Sequence, residues 1–164
     1  MIKLAERYPY YPSCKVVFTA GTWDLFHKGH LNILKKSKSL GDKLIVAVSS
    51  DKLVKKYKKV LPIFHYKHRL DIIKSCRYVD VAVKQETLVP IYLLKKYEVN
   101  VITIGSDWKD KKLEGLEWAK NNSIEIVYLS YTKGVSTSEV KKKIINNSYN
   151  IIRGELNREQ DRKV

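Results

Sequence analysis

Short apolar runs, most of them rich in β-branched residues, recur along this chain, and each is separated from the next by a segment of helical periodicity. The runs are residues 15–20 (KVVFTA), 43–48 (KLIVAV), 79–83, 99–104 and 124–129 (IEIVYL). Their apolar character is largely continuous rather than alternating, so both faces of each strand are to be buried. Between them, 29–40 places Leu31, Leu34 and Leu40 at helical spacing among lysines and ends before Gly41. Further helices are expected at 51–56, 66–76, 88–97 with Pro90 in its first turn, 113–121 and 136–145. Residues 57–65, basic and holding Pro62, read as a loop. Strands alternating with helices, joined by right-handed crossovers, give a single doubly wound, Rossmann-like α/β domain with a parallel five-stranded sheet. The domain is expected over 15–146. An N-terminal extension, 1–14, carries Tyr8, Pro9, Tyr10, Tyr11 and Pro12, and a polar tail occupies 147–164.

Composition narrows the function. At 164 residues and 44% hydrophobic, the chain can bury a core without disulfides or a structural metal, and is not disordered for want of apolar residues. Cys14 and Cys76 alone make neither a disulfide framework nor a cysteine zinc site. No run approaches the ~20 apolar residues of a membrane span. The start, MIKLAERYPYYPSCK, lacks the apolar core of a signal peptide, so a cytoplasmic protein is expected. Lys and Arg number 32 against 17 Asp and Glu, a formal +15. That excess suits nucleic acid, acidic lipid or a phosphorylated small molecule, and biased genome composition accounts for it equally well.

The segment Gly21-Thr22-Trp23-Asp24-Leu25-Phe26-His27-Lys28-Gly29-His30 falls between the first strand and the first helix. Ligands of open α/β sheets bind beyond the carboxyl ends of strands. A helix start offers unpaired N–H groups and the positive end of the dipole to an anion. Gly21 and Gly29 allow close approach of a phosphate, and His27 and His30, three apart, can face one anion. A zinc site is the weaker reading, since no third ligand lies close in sequence.

GTWDLFHKGH resembles the GTFDxFHxGH signature of the cytidylyltransferase-like nucleotidyltransferase family. Gly105-Ser106-Asp107-Trp108 resembles the G-x-D-W of glycerol-3-phosphate cytidylyltransferases. Thr132-Lys133-Gly134-Val135-Ser136-Thr137-Ser138 is similar to the family's T-E-G-I-S-T-[ST], and Arg77-Tyr78-Val79-Asp80 to a segment placed at the dimer interface. The resemblance implies transfer of CMP from CTP to a small phosphorylated acceptor, with pyrophosphate leaving and Mg²⁺ as cofactor. Glycerol-3-phosphate is favoured. Phosphocholine, phosphoethanolamine, another small phosphate or phosphonate, or adenylyl transfer, are the alternatives.

It further implies phosphate donors at His27 and His30, with Lys58 or Lys59 reaching the phosphates. Nucleotide contacts are implied for Gly21, Thr22, Trp23, Asp24, Gly29, Asp107, Trp108, Thr132, Gly134, Val135, Ser136, Thr137 and Ser138. Asp24 either supports its loop or helps to hold Mg²⁺. Lys56, Arg69 and Arg77 are implied at the acceptor, Arg69 alternatively as an ion-pair partner. A homodimer is implied, and neither nucleic acid nor membrane insertion. Two departures stand out: Tyr131 replaces the family's arginine, with Lys133 the nearest substitute cation. Leu88 and Ile91 stand where glycerol-phosphate enzymes have an aromatic residue and a lysine.

Overall fold

The computed structural model describes residues 14–88, 90–109 and 114–161. Five strands, β1 (Val16–Gly21), β2 (Lys43–Ser49), β3 (Val81–Gln85), β4 (Val101–Gly105) and β5 (Glu125–Leu129), form one sheet in the order β3-β2-β1-β4-β5. Every pairing is parallel. β1 is central, with Phe18 opposite Ile45 on one side and Ile102 on the other. The helices are α1 (Lys28–Lys38), α2 (Asp51–Lys58), α3 (Tyr66–Lys74), α4 (Ile91–Lys96), α5 (Glu114–Asn121) and α6 (Thr137–Asp161). A single 3₁₀ turn, Ser106–Trp108, follows β4.

Side chains alternate across a pleated strand, so one continuous apolar run supplies two cores. Val16, Phe18, Ile45, Ala47 and Ile102 pack with Leu93 and Leu94 of α4 and Ala119 of α5. Val17, Leu44, Val46, Val48 and Val101 pack on the other face with Leu34 of α1 and Ile73 of α3. This is the expected α/β domain with its parallel five-stranded sheet. No described helix is long and apolar enough to cross a membrane.

Several boundaries differ from expectation: α4 starts at Ile91 with Pro90 as its N-cap rather than in its first turn, and β4 starts at Val101 rather than 99. β3 starts two residues late, because the Val79 N–H closes a turn on the Cys76 carbonyl and Asp80 accepts the Leu44 N–H at 2.6 Å and Lys38 Nζ at 2.6 Å. α2 runs to Lys58 and ends on Lys59, whose φ of 62° stops it. α6 continues to Asp161, well past the expected end at 145. The aromatic segment 8–12 and the expected helix start at 113 lie outside the described residues.

Candidate active site

The chain leaves β1 through a loop with two residues in the left-handed region, Trp23 (φ 58°) and Leu25 (φ 48°). Non-glycine residues hold that conformation only when their surroundings compel it. Here the Trp23 side chain is buried and its indole N–H donates to the Ala47 carbonyl at 3.0 Å. The buried Asp24 carboxylate accepts the backbone N–H groups of Ile63 (2.9 Å) and Phe64 (3.0 Å). The loop between α2 and α3 is thereby fixed against the loop after β1.

His27 caps α1. Its Nδ1 accepts the N–H groups of Gly29 (3.1 Å) and His30 (3.4 Å). An accepting Nδ1 leaves the neutral ring's proton on Nε2, so Nε2 is a donor. A Cβ at Gly29 would stand 2.9 Å from the His27 ring, so only glycine lets the imidazole fold over the helix start. The His27 and His30 rings stack at 3.9 Å and 18°. Trp23 (5.4 Å) and Phe26 (5.6 Å) enclose His30 further. Burial pushes the His30 pKa down to about 3, assisted by His27 and Lys58. Burial lowers the His27 pKa as well. Both rings are therefore neutral hydrogen-bonding groups at neutral pH, rather than cations.

His30 opens onto a cleft of ≈ 440 Å³ along the carboxyl edge of the sheet. Gly21 lines it from the end of β1, Thr22, Trp23 and Asp24 from the loop that follows, and Asp107 and Trp108 from the 3₁₀ turn. Thr137 and Ser138 contribute the start of α6, where the Thr137 hydroxyl donates to the Asp24 carbonyl at 3.1 Å. Two helix starts thus converge on one cleft. Ser136 caps α6 by accepting the Glu139 N–H at 3.2 Å. Thr132 accepts from Asn32 of α1 at 2.9 Å, Val135 packs beside Gly29, and Gly134 takes a φ of +75°. These residues hold the last loop in place and do not line the cleft.

Of the lysines after β2, Lys58 lines the cleft, whereas Lys59 is the left-handed cap and Lys56 points outward from α2. Lys58→Ala is expected to reduce kcat/KM by about tenfold or more, the loss of one charge-assisted hydrogen bond, and Lys59→Ala by less than twofold. Steady-state kinetics on the two variants makes the comparison.

The structure does not put the two expected acceptor arginines at the cleft. Arg69 is fully buried. Its guanidinium donates to the carbonyls of Thr22, Phe64 (2.9 Å) and Ser49 (2.8 Å) and to Asp51 Oδ1 (2.6 Å). With those contacts it ties three loops together and has no surface for a ligand. Arg77 is exposed before β3, at the opposite end of the sheet, and donates to the Tyr78 hydroxyl at 2.9 Å. Asp24 takes the loop-supporting role of its two expected ones, since its oxygens accept the Ile63 and Phe64 N–H groups.

Tyr57, Gln85 and Lys141 are cleft residues that the sequence did not point to, and Tyr131 entered only as a departure from the family's arginine. The Tyr57 hydroxyl bonds that of Thr22 at 2.8 Å. Buried Gln85 accepts from the Ser49 hydroxyl at 2.9 Å. Lys141 of α6 lies 3.6 Å from Asp24 Oδ2, and Tyr131 donates to Asp107 Oδ1 at 2.9 Å. Lys141 was legible in principle, because it follows Thr137 by one helical turn and so shares its face. Lys133, the expected substitute cation, is exposed and does not line the cleft.

Residues 18–143 match the family described as Cytidylyltransferase-like. The chain belongs to that family. It is 36% identical over 137 residues to the glycerol-3-phosphate cytidylyltransferase of Bacillus subtilis (strain 168), covering 79% of this chain and 97% of that protein. It is 38% identical over 135 residues to the bifunctional protein HldE of Helicobacter acinonychis (strain Sheeba). That match covers 82% of this chain but spans only 28% of HldE. Among solved structures, the lipopolysaccharide core biosynthesis protein of Thermoplasma volcanium GSS1 superposes with a TM-score of 0.59 at 27% identity, over 74% of this chain and 99% of that one. As a member of the cytidylyltransferase-like family, the chain belongs to a class of nucleotidyltransferases.

Proposed function

We propose that this chain transfers CMP from CTP to a small phosphorylated acceptor, with glycerol-3-phosphate favoured. A phosphate oxygen of the acceptor attacks the α-phosphorus of CTP. The bond to the β-phosphate oxygen breaks and pyrophosphate leaves, so the product is a CDP-linked compound. The observation that carries this reading is the His27–His30 stack at the start of α1, whose His30 opens on the cleft that Thr137 and Ser138 of the α6 start also line. Phosphoryl-type transfer asks for positioning and charge stabilisation more than for a proton shuttle. A ring that resists protonation, as His30 does, is a poor general acid and a good fixed hydrogen-bonding group. His27 Nε2–H, the Thr137 and Ser138 N–H groups at the start of α6, Lys58 and Lys141 supply donors and positive charge for the α-phosphate and the leaving group.

Magnesium, when bound to a triphosphate, neutralises its oxygens. Among the described residues no cluster of His, Cys, Asp or Glu is placed to hold a metal. The likeness to the Bacillus subtilis glycerol-3-phosphate cytidylyltransferase supports the acceptor choice. Arg77, exposed, and Tyr78, half-buried, lie away from the cleft and serve as dimer contacts.

The nucleotide is tested by thermal shift. A ligand that binds only the folded chain raises its melting temperature. CTP with Mg²⁺ is expected to stabilise the protein by several degrees and ATP with Mg²⁺ by much less. Stabilisation by ATP alone would transfer the reading to adenylyl transfer. Pyrophosphate release with CTP and a panel of phosphorylated acceptors then identifies the second substrate.

A further inference from the structure

Tyr131 stands where the family's pattern has an arginine, yet the cleft does not use it as a damaged phosphate ligand. Its hydroxyl donates to Asp107 Oδ1 at 2.9 Å, and both residues line the cleft beside Trp108. The packing at this point is specific. A Cβ at Gly105 would stand 2.6 Å from Asp107 Oδ1 and 2.8 Å from the Tyr131 oxygen. Glycine is therefore what allows the carboxylate and the phenol to meet over the end of β4. Burial, then the Asp107 carboxylate, push the Tyr131 pKa up to about 12, so the phenol stays a donor throughout the working range. A carboxylate has about four lone-pair sites, and Tyr131 engages one oxygen. The second oxygen lines the cleft side of this contact with acceptor capacity only.

We propose that Tyr131 is a specificity-determining positioning residue: it orients Asp107 so that the free carboxylate oxygen accepts a hydrogen bond from a donor on the bound nucleotide. The donor is an exocyclic amine of the base or a hydroxyl of the ribose. This rests on the nucleotide occupying the Asp107–Trp108 end of the cleft, as in the proposed function. A nucleotide with an acceptor in place of that donor faces a carboxylate with nothing to pair, and is rejected. The departure from arginine thus moves position 131 from the phosphates to the base or sugar, while Lys141 supplies a cation nearer Asp24.

The experiment compares wild type, Tyr131→Phe and Asp107→Asn by calorimetric titration with CTP, UTP and 2′-deoxy-CTP, each with Mg²⁺. UTP replaces the amine by a carbonyl; 2′-deoxy-CTP lacks one hydroxyl. Wild type is expected to bind CTP at least about tenfold more tightly than the analogue lacking the recognised donor. Tyr131→Phe should weaken CTP binding by about tenfold and bring that one ratio close to unity, leaving the other ratio unchanged. Its melting temperature should stay near wild type, because only the hydroxyl of an exposed residue is removed. Asp107→Asn should do the same. Unchanged CTP affinity and unchanged ratios in Tyr131→Phe would overturn the proposal. A wild-type preference for ATP would sink the cytidylyl reading alone, and ITP and 2′-deoxy-ATP would then decide Tyr131 by the same ratios. A wild type that binds none of these nucleotides overturns both.

Discussion

Alanine at His30 is expected to slow pyrophosphate release by about 10²- to 10³-fold, the loss that follows removal of one preorganised donor from a developing oxyanion. The fold should survive, with a loss of stability of about 1–2 kcal/mol, since a partly buried ring leaves its contacts with Trp23 and Phe26. A steady-state assay alongside urea denaturation separates the two effects. The same variant carries a pH signature. In the folded chain His30 titrates at about 3, against an ordinary value of 6.5. Between those values the unfolded chain takes up a proton that the folded chain refuses, so wild-type stability falls as pH drops below 6.5. His30→Ala lacks this uptake and should show a flatter acid limb of stability. Wild-type turnover in the variant would remove His30 from the mechanism. An equally steep acid limb would mean that its ring is not held neutral.

The sheet was legible because burial on both faces leaves a plain mark: β1 and β2 are nearly unbroken apolar runs, and the alternation within each run divides between the two cores. The His27–Gly29–His30 site was legible because its parts are adjacent in sequence at a strand-to-helix turn. What could not be read depended on partners distant in the chain. Val79 and Asp80 look like the start of a strand, but Asp80 is taken by Leu44 and Lys38, 36 and 42 residues away. Lys58 and Lys59 are chemically identical neighbours, and only the left-handed turn at Lys59 decides which of them meets the cleft. Tyr131 reads as a lost arginine until Asp107, 24 residues earlier, is seen to hold it. Arginine at 69 is the sharpest case. In sequence it is one more cation in a basic stretch, equally suited to a phosphate.

Arg69→Met is accordingly expected to destabilise the protein by about 3–5 kcal/mol, the range for removing one partner from a buried ion pair. The carbonyls of Thr22, Ser49 and Phe64 would lose their donor, and Asp51 its buried partner. Burial works against the charge on Asp51. The Tyr66 N–H and the Arg69 guanidinium outweigh it and hold the carboxyl below the ordinary carboxylate range. At roughly 2–4 °C per kcal/mol for a chain of this size, the melting temperature should fall by about 6–20 °C. Lysine should restore only part of this, because one compact ammonium cannot reproduce a planar fork that reaches four acceptors at once. Turnover should fall in parallel, since the loops bearing Thr22, Ser49 and the Lys58 segment no longer keep their spacing. An acceptor ligand would behave in the opposite way: Arg69→Lys would raise KM for the acceptor while the melting temperature stayed at the wild-type value. Denaturant titration and acceptor kinetics on the two variants distinguish a tie between loops from a hand on the substrate.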